Sequence, residues 1–337
     1  MVNTTEFPLE LIVAKPMGEE IDYVNEETSM DIDLGGTNDF EIVLNMPEWK
    51  KDKFWYDYRV FVPNTEYGGI INDIETRTSS SEIVLRGPAW RQLLQKKIVK
   101  PPSDDSYLML SGELNDVTRG LIGNRFGSLF FVPEFDTGVT VTNWQVDRYV
   151  SIYDVLTKLY EANEHKLQLR YIQPENIDYG YVEIQAVPIV DYSDELEYSQ
   201  DGNVNFAIRD YRGGINHLVC IGKGQDEERL VVDLFVQEDG SIGQEQYYFG
   251  LDEREAVYEY TSAEQDELLE GGTERLKELK NYKQVEAFVD DVDLDIGDVI
   301  AGYEEVTNTR VVKPIVQKIL TIENGNLEIE YKVKGDD

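Results

Sequence analysis

The 337-residue chain carries 67 acidic residues against 31 Lys and Arg, 31 − 67 = −36 in formal charge, a surface that repels nucleic acid and anionic lipid and argues against phosphate-seeking functions. At 41% hydrophobic with 21 Tyr it is globular and rich in strand formers, too long for one ordinary core, and expected to hold two to four domains. Its single cysteine forms no intrachain disulfide, so nothing implies an oxidising compartment.

The first twenty residues, MVNTTEFPLELIVAKPMGEE, show no basic leader before an uninterrupted apolar core, and no stretch elsewhere approaches about 18 apolar residues, so a soluble protein without a membrane anchor is expected. The run LELIVA (9–14) and the alternating DFEIVLNM (39–46) read as strands. Residues 54–87 read as three more, joined by PNTEYGG and SSS, with Gly68 and Gly69 supplying the turn. Such a meander commonly starts a small barrel. At GPAWRQLLQKKIVKPP (87–102) the period changes: Trp90, Leu93, Leu94 and Lys97 share a helical face until Pro101 and Pro102 stop it, and a domain boundary is expected there.

Strand-like SYLMLSG (106–112) and GSLFFVP (127–133) follow. Within 150–171, Ile152, Val155, Leu156 and Leu159 fall at i, i+3, i+4 and i+7, the clearest amphipathic helix in the chain, before the strands KLQLRY and GYVEIQAV. The last third returns to strands, interrupted at 261–284, where Ser262 and Gln265 fit a capping box and Leu268, Leu269, Leu276 and Leu279 form one stripe. Gly271 and Gly272 are expected to kink or split that helix. KPIVQKILTIENGNLEIEYKVK (313–334) reads as two strands around NGN, a hairpin.

GGINHLVCIGKG (213–224) raises a sharper question, because it brings one of two histidines, His217, within three residues of the only cysteine, Cys220. In a strand, residues three apart face opposite ways. Ile215, His217, Val219 and Ile221 then share one face and Asn216, Leu218 and Cys220 the other, so His217 is no base for Cys220. Gly222-Lys223-Gly224 lacks the Ser or Thr of a phosphate loop, and Glu227 stands where a dinucleotide fingerprint needs its third glycine; a hairpin turn is expected instead. No H-E-x-x-H or G-x-S-x-G occurs. In DDVDLDIGD (290–298), Asp291, Asp293 and Asp295 have the spacing that opens a calcium loop, but Ile296 occupies its glycine position and Gly302 its twelfth, which favours a solvated strand edge. No catalytic, cofactor-binding or metal-ligating residue is expected.

Five stretches in order resemble the hub proteins of long-tailed phage baseplates, related to the N-terminal part of tail-associated lysins and to the contractile-tail baseplate hub: VFVPNTEYGGIINDIE (60–75), VLRGPAWRQLLQKKIVKPP (84–102), VSIYDVLTKLYEANEHKLQLRY (150–171), YRGGINHLVCIGKGQDEERLVVDLF (211–235) and DIGDVIAGYEEVTNTRVVKPIVQKILTIENG (295–325). The third is generic; the Gly-Gly-x-Asn-His strand and the Asp-x-Gly-Asp-Val strand start are more specific.

The resemblance implies an α+β, mainly β fold of two small β-barrels with α/β and helical insertions: 1–102 as first barrel, 103–205 as inserted α+β domain, and 206–337 as second barrel with its helical insertion at 261–284. It further implies a non-enzymatic virion protein of the tail tip, assembled in the host cytoplasm as a homotrimeric ring. That ring adapts the six-fold tail tube and distal tail protein to three-fold tip components, meets the tape-measure protein and tail fibre, spike or receptor-binding proteins, and encloses a channel that passes dsDNA without specific binding. The chain reaches its last hairpin without a peptidase or glycan-cleaving module, so wall-degrading activity is expected on other proteins. The alternative is a β-rich glycan-binding module, using aromatics near WKKDKFWYDY (49–58), with an acid-base hydrolase as the remaining class.

Overall fold

The computed structural model describes residues 11–24, 28–174, 179–193, 204–225, 228–289, 294–304, 309–323 and 326–334. They are mainly β, with helices α1 (Trp90–Gln95), α2 (Leu114–Ile122), α3 (Ile152–Glu161) and α4 (Gln265–Leu279). None is long and apolar enough to cross a membrane. The chain divides into two units, 1–206 with 287–333, and 207–286 with 334–337.

In the first unit a large sheet runs in the order Asp73–Arg77, Glu82–Pro88, Asp39–Asn45, Ser29–Leu34, Thr309–Glu323, Asn326–Val333, with Val299–Glu304 also pairing Thr309–Glu323. The N-terminal meander and the C-terminal hairpin therefore share one sheet, Leu34 facing Lys318 and Met30 facing Ile322. Alternation drives this: Met30, Ile32, Leu34, Phe40, Ile42 and Leu44 are buried on one face while Asp31, Asp39 and Asn45 are exposed.

That apolar face packs against a smaller sheet, Glu20–Tyr23, Ile12–Ala14, Arg59–Phe61, Gly68–Ile70, through Val13 and Val60. The opposite face of the same strands, Ile12, Ala14 and Phe61, enters a second core with Trp90, Leu94, α2, α3 and the hairpin His165–Ile172 with Tyr181–Pro188. Covered on both sides, IVA and RVF are continuously buried, Arg59 by donating to the Tyr171 hydroxyl and the Gly180 carbonyl. Tyr171 ties this core together, stacked on Phe61 at 3.8 Å and 5.4 Å from Trp90.

Among the described residues no sheet closes into a barrel, in contrast to the two barrels expected. The large sheet and the smaller sheet packed on it meet at an isolated bridge between Gly69 and Ala89 instead of along a continuous ladder. The bridge explains the glycine: a Cβ at Gly69 would lie 2.2 Å from the Pro88 carbonyl oxygen and 2.7 Å from the Phe40 ring. Close approach, and not a turn, imposes glycine at 69.

Helix α2 has no counterpart in the sequence reading. Its nine residues include Asn115, Asp116, Thr118 and Gly120, weak helix formers. A local cap and tertiary contacts hold it: Glu113 at the N-cap accepts from the Asp116 amide, and buried Asn115 bonds the Phe135 carbonyl and the Ala186 amide. Helix α3 is as expected, with a capping box between Ser151 and Asp154.

The second unit is a sheet in the order Ile242–Gly243, Val231–Val236, His217–Ile221, Glu255–Glu259, under α4. Helix α4 starts at Gln265 with its capping box on Glu264 and Glu267, not on Ser262 and Gln265, because residues 260–263 are used in a turn closed by the Ala263 amide on the Tyr260 carbonyl. It runs unbroken through Gly271 and Gly272. A Cβ at Gly272 would sit 2.5 Å from Cys220 Sγ and 2.9 Å from Leu234 Cδ1, so glycine there lets the helix lie close on the sheet.

Candidate functional site

The strand His217–Ile221 separates its two faces as alternation requires. Leu218 and Cys220 are fully buried under α4 with Leu268 and Leu276. Burial pushes the Cys220 thiol up to about 11, which keeps it protonated and inert. Gly222-Lys223-Gly224 begins the connection to Val231–Val236: the Gly222 amide donates to the Leu230 carbonyl, the Leu230 amide to the Lys223 carbonyl (both 2.8 Å), and Gly224 takes a positive φ of 115°. This is a turn and not a phosphate cradle.

His217 lies on the other face and meets three carboxylates. Its Nδ1 is 2.8 Å from Glu253 Oε1 and 3.1 Å from Glu255 Oε1; its Nε2 is 3.0 Å from Asp233 Oδ1. Register assembles this group: the antiparallel neighbour places Phe235 opposite His217 with Asp233 two residues away on the same face, and the parallel neighbour places Glu255 opposite. Phe235 stacks on the imidazole at 4.3 Å. Glu253 is set by Asn216, whose amide nitrogen donates to the Asp252 carbonyl (2.7 Å) and whose oxygen accepts from the Arg254 amide (2.7 Å), clamping the backbone on both sides. Gln246 Nε2 also donates to Glu253 Oε1, at 2.7 Å. Burial works against a charged ring, but Asp233 and Glu253 outweigh it and hold the His217 pKa above its ordinary value.

A second charged group lies in the first unit, at the Asp-x-Gly-Asp-Val segment. Asp291 and Asp293 lie outside the described residues. Asp295 and Asp298 bind Lys166, whose Nζ is 2.6 Å from both Asp298 oxygens and 3.0 Å from Asp295 Oδ2. Asp298 also accepts from the Val190 and Asp295 amides, both at 3.0 Å, and Asp295 accepts from Gln168 at 2.9 Å. The Lys166 and Asp298 side chains are 6% and 2% exposed, so this is an interior ion pair and not a solvated strand edge. Gly297, with φ 103°, makes the bend that turns Asp298 inward. Burial pulls the Asp295 pKa up, yet Lys166 and Gln168 overcome it and leave the carboxyl below its usual range. Ile296 packs against the large-sheet core, and Gly302 lies in Val299–Glu304 opposite Val311.

Elsewhere in the first unit an open groove of about 420 Å³ is lined by Asp31, Asp33, Asp39, Glu41, Asp73 and Arg86 among others. Arg86 engages Glu41 (2.5 Å) and Asp73 (3.5 Å), and the Thr37 hydroxyl lies 3.0 Å from Asp33 and 2.5 Å from Asp39. These acids are tied to neighbours. Of the 49–58 aromatics, Phe54 is core, Trp49 packs against it, and Tyr56 is exposed.

The sequence matches no protein-family model and no curated protein. The fold does have counterparts. The 43 kDa tail protein of prophage MuSo2 from Shewanella oneidensis is similar at a TM-score of 0.50 and 13% identity, over 96% of this chain and 98% of that one. A chain of the p2 virion baseplate in its activated conformation is similar at 0.51 and 11% identity, over 98% and 100%. The prophage tail protein gp18 of Listeria monocytogenes EGD-e, at 0.45 and 14% over 96% and 94%, is a weaker neighbour. The chain therefore has the fold of phage tail and baseplate proteins.

Proposed function

We propose that this protein is a structural hub of a phage tail tip or baseplate. One observation carries the reading: the fold corresponds over nearly the whole of both chains with the prophage tail protein and with the p2 baseplate chain. In this reading it is a virion component without catalytic activity, placed at the tail tip and built into the particle in the host cytoplasm.

The assembly is a homotrimer forming a ring, joined above to the tail tube and distal tail protein and below to spike, fibre or receptor-binding proteins, with the tape-measure protein and then dsDNA passing through its centre. Residues 1–102, with the strands of 287–333 that complete their sheet, and residues 207–286 contribute the two β-rich parts of each subunit, and 103–205 the α+β segment between them. The net charge of −36 suits a lumen that passes a duplex without holding it. Native mass spectrometry with negative-stain imaging tests this. A species near 3 × 38.7 = 116.1 kDa that images as a pored ring is the expected result. A chain that stays monomeric when mixed with the matching distal tail protein overturns it, and tight DNA binding at low salt overturns the lumen role.

A further inference from the structure

The carboxylates around His217 are arranged in a way that a histidine serving only to fill space does not need. A neutral imidazole carries one N–H and one lone pair. Here both ring nitrogens face carboxylate oxygens, and Nδ1 faces two, Glu253 at 2.8 Å and Glu255 at 3.1 Å. A single proton on Nδ1 bridges one of them and leaves the other opposed to its neighbour. A dication between the three atoms satisfies all of them together.

We propose that His217 Nδ1, Glu253 Oε1 and Glu255 Oε1 form a site for one divalent transition-metal ion of the zinc type. The three ligand atoms all lie within 4.8 Å of one another. Ligand atoms each about 2.0–2.2 Å from one zinc ion are separated by about 3.0–3.5 Å, close to the 2.8 and 3.1 Å that separate Nδ1 from the two glutamate oxygens, so small side-chain shifts bring the three into range of one ion. Asp233 supplies the partner such a site requires: it accepts from Nε2–H at 3.0 Å, which fixes the tautomer that leaves the Nδ1 lone pair free for metal. Phe235 under the ring and the Asn216 clamp around Glu253 hold two of the ligands in place before any ion arrives. Among the described residues the only cationic partner of these three carboxylates is His217 itself. One imidazole with two carboxylates favours zinc over calcium or magnesium, which prefer all-oxygen shells. Glu255 is 63% exposed, so the site is open to solvent and keeps a coordination position for water or for a donor from a second molecule.

The test is isothermal titration of the tag-free full chain, freed of metal with chelator and then dialysed, with ZnCl2 and in parallel with CaCl2 and MgCl2. The expected result is saturable binding of one zinc ion per chain, about tenfold or more tighter than calcium or magnesium. Glu255→Gln, at an exposed position, is expected to leave the metal-free melting temperature unchanged and to weaken zinc by about tenfold or more, and Asp233→Asn by about 10- to 100-fold without touching a ligand. Absence of a one-to-one zinc isotherm overturns the site. So does zinc affinity that survives both Glu255→Gln and Glu253→Gln, or that calcium equals, since either marks diffuse binding to an acidic surface. These outcomes do not depend on whether the chain forms a ring.

Discussion

Lys166 with Asp295 and Asp298, and His217 with Asp233, Glu253 and Glu255, are built from the same kinds of group and behave oppositely. The first is interior, its lysine 6% exposed, and every oxygen named is bonded to a cation, an amide or Gln168. The second sits on an outer sheet face with three carboxylates on one titratable ring. A closed, balanced network stiffens a fold, whereas an open one with excess acid keeps affinity for a cation. Position and charge count, more than residue type, separate a structural cluster from a binding one.

This contrast is broken most severely at Asp298. Asp298→Ala leaves the interior Lys166 ammonium with Asp295 as its one remaining carboxylate partner and the Val190 and Asp295 amides without their acceptor, and a loss of about 3 kcal/mol is expected. All four tryptophans, Trp49, Trp55, Trp90 and Trp144, belong to the first unit, so their fluorescence during urea unfolding reads that loss directly. An unchanged midpoint would show that the pair contributes nothing.

In the second unit the largest effect is expected from packing rather than charge. Gly272→Ala gains helix propensity of about 1 kcal/mol but drives a methyl into Cys220 Sγ, for a net loss of about 1–3 kcal/mol. Combining it with Cys220→Ala should recover part of the loss; strictly additive effects by circular dichroism would refute the contact.

Acid offers a gentler probe. The Asp295 pKa is depressed in the folded chain, so its contribution is present above the unfolded value of about 3.9 and is lost as pH falls through the lower folded value. Tryptophan-monitored stability should therefore fall more steeply between pH 5 and pH 2 in the wild type than in Asp295→Asn; parallel curves would remove Asp295 from the network. The smallest effect is expected only eight residues from Lys166. Lys158 and Asp147 form a 2.7 Å pair but are 60% and 61% exposed, so Lys158→Ala should change stability by less than about 1 kcal/mol.

What the sequence revealed and what it hid follow one division. Local periodicity exposed the faces of His217–Ile221, α3 and the stripe of α4, because alternation and helical spacing depend on neighbours in the chain. It also excluded a Cys220–His217 pair. The carboxylates around His217 were invisible, since strand register from 231–236 and 255–259 brings them together, although the alternation of Val231, Asp233 and Phe235 hinted at a shared face. Lys166 read as an ordinary strand residue, and only the fold shows that its facing position is interior. Helix α2 was missed because Asn115 and Thr118 stabilise it through buried bonds to the Ala186 amide and the Tyr160 hydroxyl, far away in the chain, a contribution no propensity scale contains.

The pairing of Ser29–Leu34 with Thr309–Glu323 has a consequence in time. Thr321 bonds Asp31 across 290 residues of chain, which at about 5–20 residues per second takes about 15–60 s to synthesise. For that interval the strand at 29–34 presents an unpaired edge beside a row of apolar side chains, the condition under which nascent sheets stick to one another. Newly made chains are therefore most vulnerable on the ribosome before residue 309 emerges, and a lowered growth temperature or a chaperone that shields that edge should raise the soluble yield more than any change at the finished surface.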